Sequence, residues 1–484
     1  MHQRLDPQEI PPGCPAHGNV QMYGPSFGAD PDSHYAQLRS FGLSAPVDIA
    51  PDVQAELVTS YDAALYVLQN PASFVRDSRR WNALNEGRIP ADSPALPMMG
   101  YRPNALFSDG AAHARLRRAV TDSLATVNEH QLIRQTQQSA NYLISQFSTD
   151  IRGQAELMAE YAQPLPLLVF SDLFGCPPEI GDRVIAGISG IFEGTPGADE
   201  VLGGALTELI DLKRRRPTDD LTTRLMEHPA QLSDEEVLHQ LVTLLSGGTA
   251  PLAAAIGTSS ALYLGEDWQV GLPVEDAVSQ TLWNYAPIAN YAAHYPTHDV
   301  ELGGRVVRAN DPVLISFAAA NTDPKLTEHR EQLSAKAHLA FGAGPHACPA
   351  KDPAFMIAVT AVEVLLNQLL DVELRVPFKA LTWTPSPWSR SLVTLPIRFT
   401  PRAVPQAAGA AGTAGTAGSN GGHQPLQQQT AASAPSKAGP SGLPGLSGLS
   451  GSSGSSGSSR TNAAAAPQSK GGLFSRFLAW TRGE

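Results

Sequence analysis

Residues 338–355 read HLAFGAGPHACPAKDPAF, and this stretch decides the reading of the whole chain. Gly342, Gly344 and Pro345 break regular structure just ahead of Cys348, and an apolar-periodic helix follows from about Pro353. Cys348 therefore sits in a loop that feeds a helix N-terminus. Unpaired N–H groups at such an end carry partial positive charge, which favours a thiolate over a thiol. A thiolate is what a soft metal ligand needs. A lone cysteine is more often a small buried hydrophobe, but its neighbours here weigh against that. Phe341, Gly344, His346 and Cys348 stand as F-x-x-G-x-H-x-C. With 15 Phe, 42 Gly, 13 His and 3 Cys in 484 residues, such a match arises by chance on the order of a few times in ten thousand.

Working outward, the hydrophobic fraction of 42% is that of a folded protein, and a net charge of −12 argues against nucleic-acid binding, which needs clustered Lys and Arg. Cys14, Cys176 and Cys348 lie far apart, so neither a disulfide framework nor a structural zinc site is expected, and a reducing cytoplasm is the natural location. The first residues, MHQRLDPQEIPPGCP, hold no apolar run that could act as a signal peptide. No uncharged apolar stretch near 20 residues is evident, so no transmembrane segment is expected.

Composition changes near residue 403. Residues 403–470 are rich in Gly, Ala, Ser and Pro and poor in aromatic and β-branched residues, which reads as a flexible linker. The chain then ends in GGLFSRFLAWTRGE, residues 471–484, where Leu473, Phe474, Phe477, Leu478 and Thr481 share one helical face. A short amphipathic helix is expected there, either docking on a membrane surface or a partner, or fraying as a tail. Before residue 403, helix signals cover 112–147, 153–174, 234–264 and 353–370. Strand signals are fewer: 56–59, 300–307 around a Gly-Gly turn, 313–317 and 393–399. The pattern predicts a mainly α domain, residues 1–402, with a small β subdomain.

The F-x-x-G-x-H-x-C loop resembles the haem loop of the cytochrome P-450 family, and residues 1–402 resemble its soluble bacterial members throughout. The resemblance implies a triangular prism of helices around haem b, with the Cys348 thiolate as the axial ligand to iron. It also implies that Phe341 packs beside the sulfur, that Gly344 lets the backbone approach the porphyrin, and that His346 contacts a haem propionate. One departure is Ala350, where the family usually has Gly; a methyl group is a small intrusion. DGAAHARLRRAV, residues 109–120, resembles the family's C helix, so His113 and Arg117, four apart on one face, become candidates for holding the propionates. Taken alone, they would read equally well as a solvated basic face. His294 stands where the family usually has Arg and is a third candidate, against being an ordinary half-buried histidine.

Two family features are missing. LVTLLSGGTAPLAAAIGTSSALYL, residues 241–264, resembles the oxygen-side I helix, whose acid and alcohol deliver protons during O–O cleavage. Aligned through Ile256-Gly257, the acid has become Ala250 and the alcohol Pro251, and neither can transfer a proton. Pro251 also denies the Gly247 carbonyl its helical partner, so a kink is expected, and an ordered water at that carbonyl could partly replace the hydroxyl. In the K helix, the family's Glu-x-x-Arg ion pair has become Gln280-Thr281-Leu282-Trp283, in which Gln280 and Trp283 could share a hydrogen bond through the indole N–H. This substitution resembles a small actinobacterial subgroup associated with small-GTPase signalling modules.

Lesser signals complete the reading. Cys176 is expected to be structural and Cys14 exposed, while Arg79, Arg80 and Trp81 read as a surface salt-bridge face. Arg117, Arg118 and Lys351 form a basic patch that would suit an acidic, ferredoxin-type electron donor, or is simply solvated surface. Two functions follow from the resemblance. One is a monooxygenase acting on a small lipophilic substrate, open to peroxide because the proton pair is lost. The other is a haem-bearing component of a signalling complex that has given up efficient catalysis.

Overall fold

The computed structural model describes residues 19–193, 195–268, 271–402 and 472–483. Cys14 and the linker assigned to 403–470 lie outside the described residues.

The sheet that supports the site has six strands: β1 (Val20–Gln21), β2 (Ser44–Ala50), β3 (Val53–Val58), β4 (Phe74–Val75), β5 (Asn290–Pro296) and β6 (Val313–Ser316). Their order is β1-β2-β3-β6-β5-β4. β3 and β6 run parallel with Glu56 opposite Val313, whereas β5 pairs antiparallel with β6 and sets His294 opposite Val313. β2 and β5 gave weak strand signals because one carries Pro46 and Asp48 and the other is rich in Ala. Their places are set by pairing, not by propensity.

Apart from a three-stranded and a two-stranded sheet, helices form most of the rest. Those used below are α1 (Tyr61–Gln69), α2 (Gly110–Leu124), α3 (Glu129–Phe147), α4 (Pro164–Leu173), α5 (Pro178–Glu193), α6 (Ala198–Arg215), α7 (Asp234–Tyr263), α8 (Val274–Asn284), α9 (Lys351–Gln368) and α10 (Leu473–Arg482). The architecture is mainly α with a small β sheet, as expected. One apolar core runs between the helices, and a smaller one lies under the sheet around Tyr35, Trp81 and Tyr295. Trp81 is therefore core, not part of a surface face. Arg79 does pair with Asp77 at 2.8 Å and lies over the Tyr101 ring.

α7 is the central helix. Its start is a capping box: the Ser233 side chain accepts from the Glu236 N–H, and the Glu236 carboxylate accepts from the Ser233 N–H. By length and composition α7 is long and apolar enough to cross a membrane, a feature the sequence reading missed. In the fold its run from Leu252 to Ala261 is buried, and it packs against α4, α6, α8 and α9. The helix continues unbroken through Pro251, so the lost hydrogen bond does not end it. Packing holds it: a side-chain carbon on Gly248 would come within 2.8 Å of the Phe170 ring of α4.

Gln280 and Trp283 do not share a hydrogen bond, contrary to expectation. Gln280 is exposed and Trp283 is buried. The indole N–H instead donates to the Ala335 carbonyl at 2.8 Å, and the Arg330 guanidinium lies 4.5 Å from the ring centre. Arg330 also donates to Asn284 at 2.8 Å. A cation over an aromatic face thus joins α8 to the loop that precedes Cys348.

His338 packs edge-on against Trp283 in the same joint, beside Arg330 and Phe341. Burial, with a smaller push from Arg330, lowers it from about 6.5 to about 4. A folded value below the unfolded one means that the unfolded chain binds the proton more readily. The stability held at neutral pH is therefore lost as pH falls from 6.5 towards 4. Between pH 7 and pH 4.5 this group removes about 2 kcal/mol. Urea titrations of the wild type and of His338→Phe should diverge by about that amount across the interval; parallel pH dependences would refute the assignment.

α10 is present where an amphipathic helix was expected, but its apolar face is not offered outward. Phe474 and Phe477 are 1% and 4% exposed, covered chiefly by α5 with help from α3 and α4. The expectation of membrane or partner docking through this face is corrected accordingly: the chain's own helices occupy it.

Candidate functional site

The Cys348 loop is closed by its own backbone. The Cys348 N–H donates to the Phe341 carbonyl at 2.8 Å, and the Ala347 N–H donates to Gly344 at 3.1 Å. Gly342 and Gly344 have φ of +67° and +68°, in the region that disfavours side chains. At Gly344 there is a second constraint, since a Cβ would lie 2.1 Å from the Leu68 carbonyl oxygen of α1. Ala350, by contrast, has φ −112° as the residue preceding α9, so its methyl group sits on ordinary backbone. Several influences act on the Cys348 thiol at this helix start. Burial pushes the Cys348 thiol up, and the Ala350 N–H, Arg117 and Lys351 oppose it more weakly. Desolvation is the largest of these influences, and a cation at the sulfur would act in the same direction as the helix end.

Beside the loop lies a buried cluster of basic groups. His113 of α2 is 7% exposed, its ring centre 4.0 Å from that of His346. Its Nε2 is buried without a hydrogen-bond partner. Arg117, one turn on, donates to the carbonyl of Ala347, the residue before Cys348. His294 is 3% exposed on β5, with its Nδ1 3.4 Å from Arg76 Nη1. Arg76 was missed in the sequence. It follows β4, is 1% exposed, and donates through Nε to the Leu106 carbonyl at 3.3 Å. Asp109 accepts from the Arg76 and Asp77 backbone N–H groups and lies 3.9 Å from His346 Nε2. Burial lowers the pKa of His113, His294 and His346, and neighbouring cations deepen each shift: Arg117 chiefly for His113, Arg76 chiefly for the other two. Three imidazoles and two guanidiniums thus gather around a single carboxylate. With the imidazoles held neutral, the two guanidiniums outweigh Asp109 by one positive charge, and that surplus together with the unpartnered His113 Nε2 favours an anion.

The expected oxygen-side helix shows a different surface. Gly247 is exposed and Ala250 and Pro251 are partly so, while Leu245, Thr249 and Leu252 on the other side are buried. A Cβ on Gly247 would meet nothing within 4 Å. Thr249 carries the nearest hydroxyl, but it donates to the Leu245 carbonyl at 2.9 Å. α9, which starts just after the cysteine loop, packs directly on α7. Among the described residues no three His, Cys, Asp or Glu side chains cluster to hold a bare metal ion. A metal at Cys348 would therefore have to bring its other ligands with it, as a metal in a macrocycle does. The surplus positive charge of the basic cluster and the unpartnered His113 Nε2 beside the Cys348 loop fit the propionate edge of a haem.

No protein-family model matches the chain. The cytochrome P450 monooxygenase PikC of Streptomyces venezuelae is 30% identical over 396 residues, which span 78% of this chain and 92% of that enzyme. The chain belongs to the cytochrome P-450 family. Among other P-450 relatives, the vitamin D(3) 25-hydroxylase of Pseudonocardia autotrophica is 27% identical over 401 residues, covering 79% of this chain and 97% of its own length. Of solved P-450 structures, CYP154C4 from Streptomyces sp. W2061 matches with a TM-score of 0.71 and 25% identity over 79% of this chain and 98% of its own. The chain is thus a P-450-like monooxygenase, a family whose members carry haem iron on a thiolate. Arg76 and Asp109 are the members of this basic cluster that sequence reading overlooked. The one local signal was a charged pair, Arg76-Asp77, directly after the apolar Phe74-Val75.

Proposed function

We propose that this P-450 chain binds haem b through Cys348 and inserts an oxygen atom into a small lipophilic substrate, with electrons from a ferredoxin-type donor. The observation that carries the reading is the tie between the two halves of the site: Arg117, on the helix that bears His113, donates to the carbonyl next to Cys348. The Cys348 loop and the basic cluster are thereby tied together. His113, Arg117, His294 and His346, with Arg76, would take the propionates. Phe341 would flank the sulfur, Gly344 would admit the porphyrin, and the Ala350 methyl group would be tolerated. The bound haem supplies the activation of dioxygen. The named activities of two relatives, vitamin D(3) 25-hydroxylation and 2-hydroxy-5-methyl-1-naphthoate 7-hydroxylation, concern lipophilic molecules and support that substrate class.

Proton supply is where this chain differs. Ala250 and Pro251 hold no proton, and the Thr249 hydroxyl is committed to the Leu245 carbonyl. What is left is the Gly247 carbonyl, which has no helical donor because Pro251 lacks an N–H, and which can hold a water. Turnover on dioxygen is therefore poorly coupled, whereas hydrogen peroxide brings its own protons and suffers less. Pro251→Thr should raise product formed per reductant consumed severalfold, with peroxide-fed yield little changed. An unaltered ratio would count against the proton-supply account.

A further inference from the structure

We propose that the face of α5 and α3 is a docking groove for an aromatic amphipathic helix, that the chain's own residues 472–483 fill it as a releasable brace, and that docking sets the rigidity of the α5–α6 pair. This inference stands apart from the haem reading. A ten-residue helix such as α10 is too short to persist in water on its own. Gly472 at its start has no side chain with which to cap it. The missing cap comes from α5: the Asp182 carboxylate accepts from the N–H groups of Gly472, Phe474 and Ser475 at 3.1, 2.7 and 3.2 Å, and from the Ser475 hydroxyl. The helix thus forms on the groove and is supported by it.

The groove fits an aromatic ring. Gly181 leaves the slot for Phe474, since a Cβ there would lie 2.2 Å from the ring. Tyr142 of α3 meets Phe477 and Trp480 with ring centres 5.4 and 5.6 Å apart. On its other side α5 closes on α6 through two more glycines, Gly187 against Leu202 and Gly190 against Ala198, each with a prospective Cβ contact of 2.8 Å. α5 is therefore held between α6 and α10, and α6 in turn packs on α7, the helix of Gly247 and Pro251. Among the described residues the occupant contacts chiefly α5, with α3 and α4, and residues 403–471 join it to the rest of the chain. Tethering keeps its local concentration high enough for it to return.

Hydrogen exchange of the full chain tests this. In the double variant Phe474→Ala, Phe477→Ala, amides of α5 and α6 should exchange at least tenfold faster while those of α8 and α9 keep their protection. A synthetic peptide of residues 470–484, added to that variant, should restore it. Gly181→Ala, which blocks the slot from the groove side, should reproduce the effect. Unchanged exchange in α5 and α6 would overturn the proposal, as would a uniform rise throughout the chain, which would make α10 ordinary core. A wild-type dimer that the double variant converts to monomer would also overturn it, by placing a second copy's helix in the groove.

Discussion

Cys348→Ala abolishes the carbonyl spectrum of a thiolate-ligated haem in the reduced, carbon monoxide-treated protein, and no other cysteine restores it. Cys176 is 7% exposed and packed in the helical core, with no open side at which a porphyrin could sit, so it cannot substitute. Cys14 lies in the Pro-rich start of the chain, and Cys14→Ala should leave the spectrum intact. The fold should tolerate the Cys348 change, because the loop's backbone bond to Phe341 is independent of the side chain. A stability cost within about 1 kcal/mol is expected. Cys176→Ala should behave in the opposite way, keeping the spectrum and losing about 1–2 kcal/mol by removing a buried sulfur. If Cys348→Ala retained the wild-type spectrum, the haem-thiolate reading would fail at its root.

The second large effect is at Gly344. Gly342→Ala and Gly344→Ala both force an L-residue into the left-handed region, at about 1–2 kcal/mol each. They differ in their surroundings. The nearest atom to a Cβ on Gly342 is 3.8 Å away, an ordinary contact, whereas on Gly344 the Leu68 carbonyl oxygen is 2.1 Å away. That oxygen belongs to the backbone of α1 and cannot turn aside. Gly344→Ala should therefore cost about 3 kcal/mol or more, well beyond Gly342→Ala, and should loosen the cysteine loop from α1. Urea midpoints of the two variants, measured side by side, give the difference directly. Equal midpoints would mean that the loop can move off α1 freely.

The parts of the site that could be read in the sequence were those whose chemistry is local. Phe341 to Cys348 form one loop, and His113 and Arg117 lie one turn apart, so spacing alone juxtaposes them. The helices around 234–264 and 353–370 were legible because their periodicity is long. Arg76 and Asp109 were not: they lie 33 positions apart and meet only when β4 is laid beside the start of α2. The environment of the Cys348 thiol was legible only in part for a related reason, since the helix end is visible in sequence and the desolvation that opposes it is not. Gln280 and Trp283 were paired on helical spacing, whereas the partners of Trp283 came from the loop at Arg330 and Ala335, about fifty positions away.

Gly181, Gly187 and Gly190 have a consequence for the order in which the molecule comes apart. Three glycines within the sixteen residues of α5 remove about 3 kcal/mol of intrinsic helix propensity relative to alanine. A segment of that composition has little tendency to coil by itself, and its helical form is lent by the neighbours that the glycines let close. On gentle heating α5 should be the first long helix to melt, and its melting should run ahead of the global transition by whatever margin those neighbours can no longer supply.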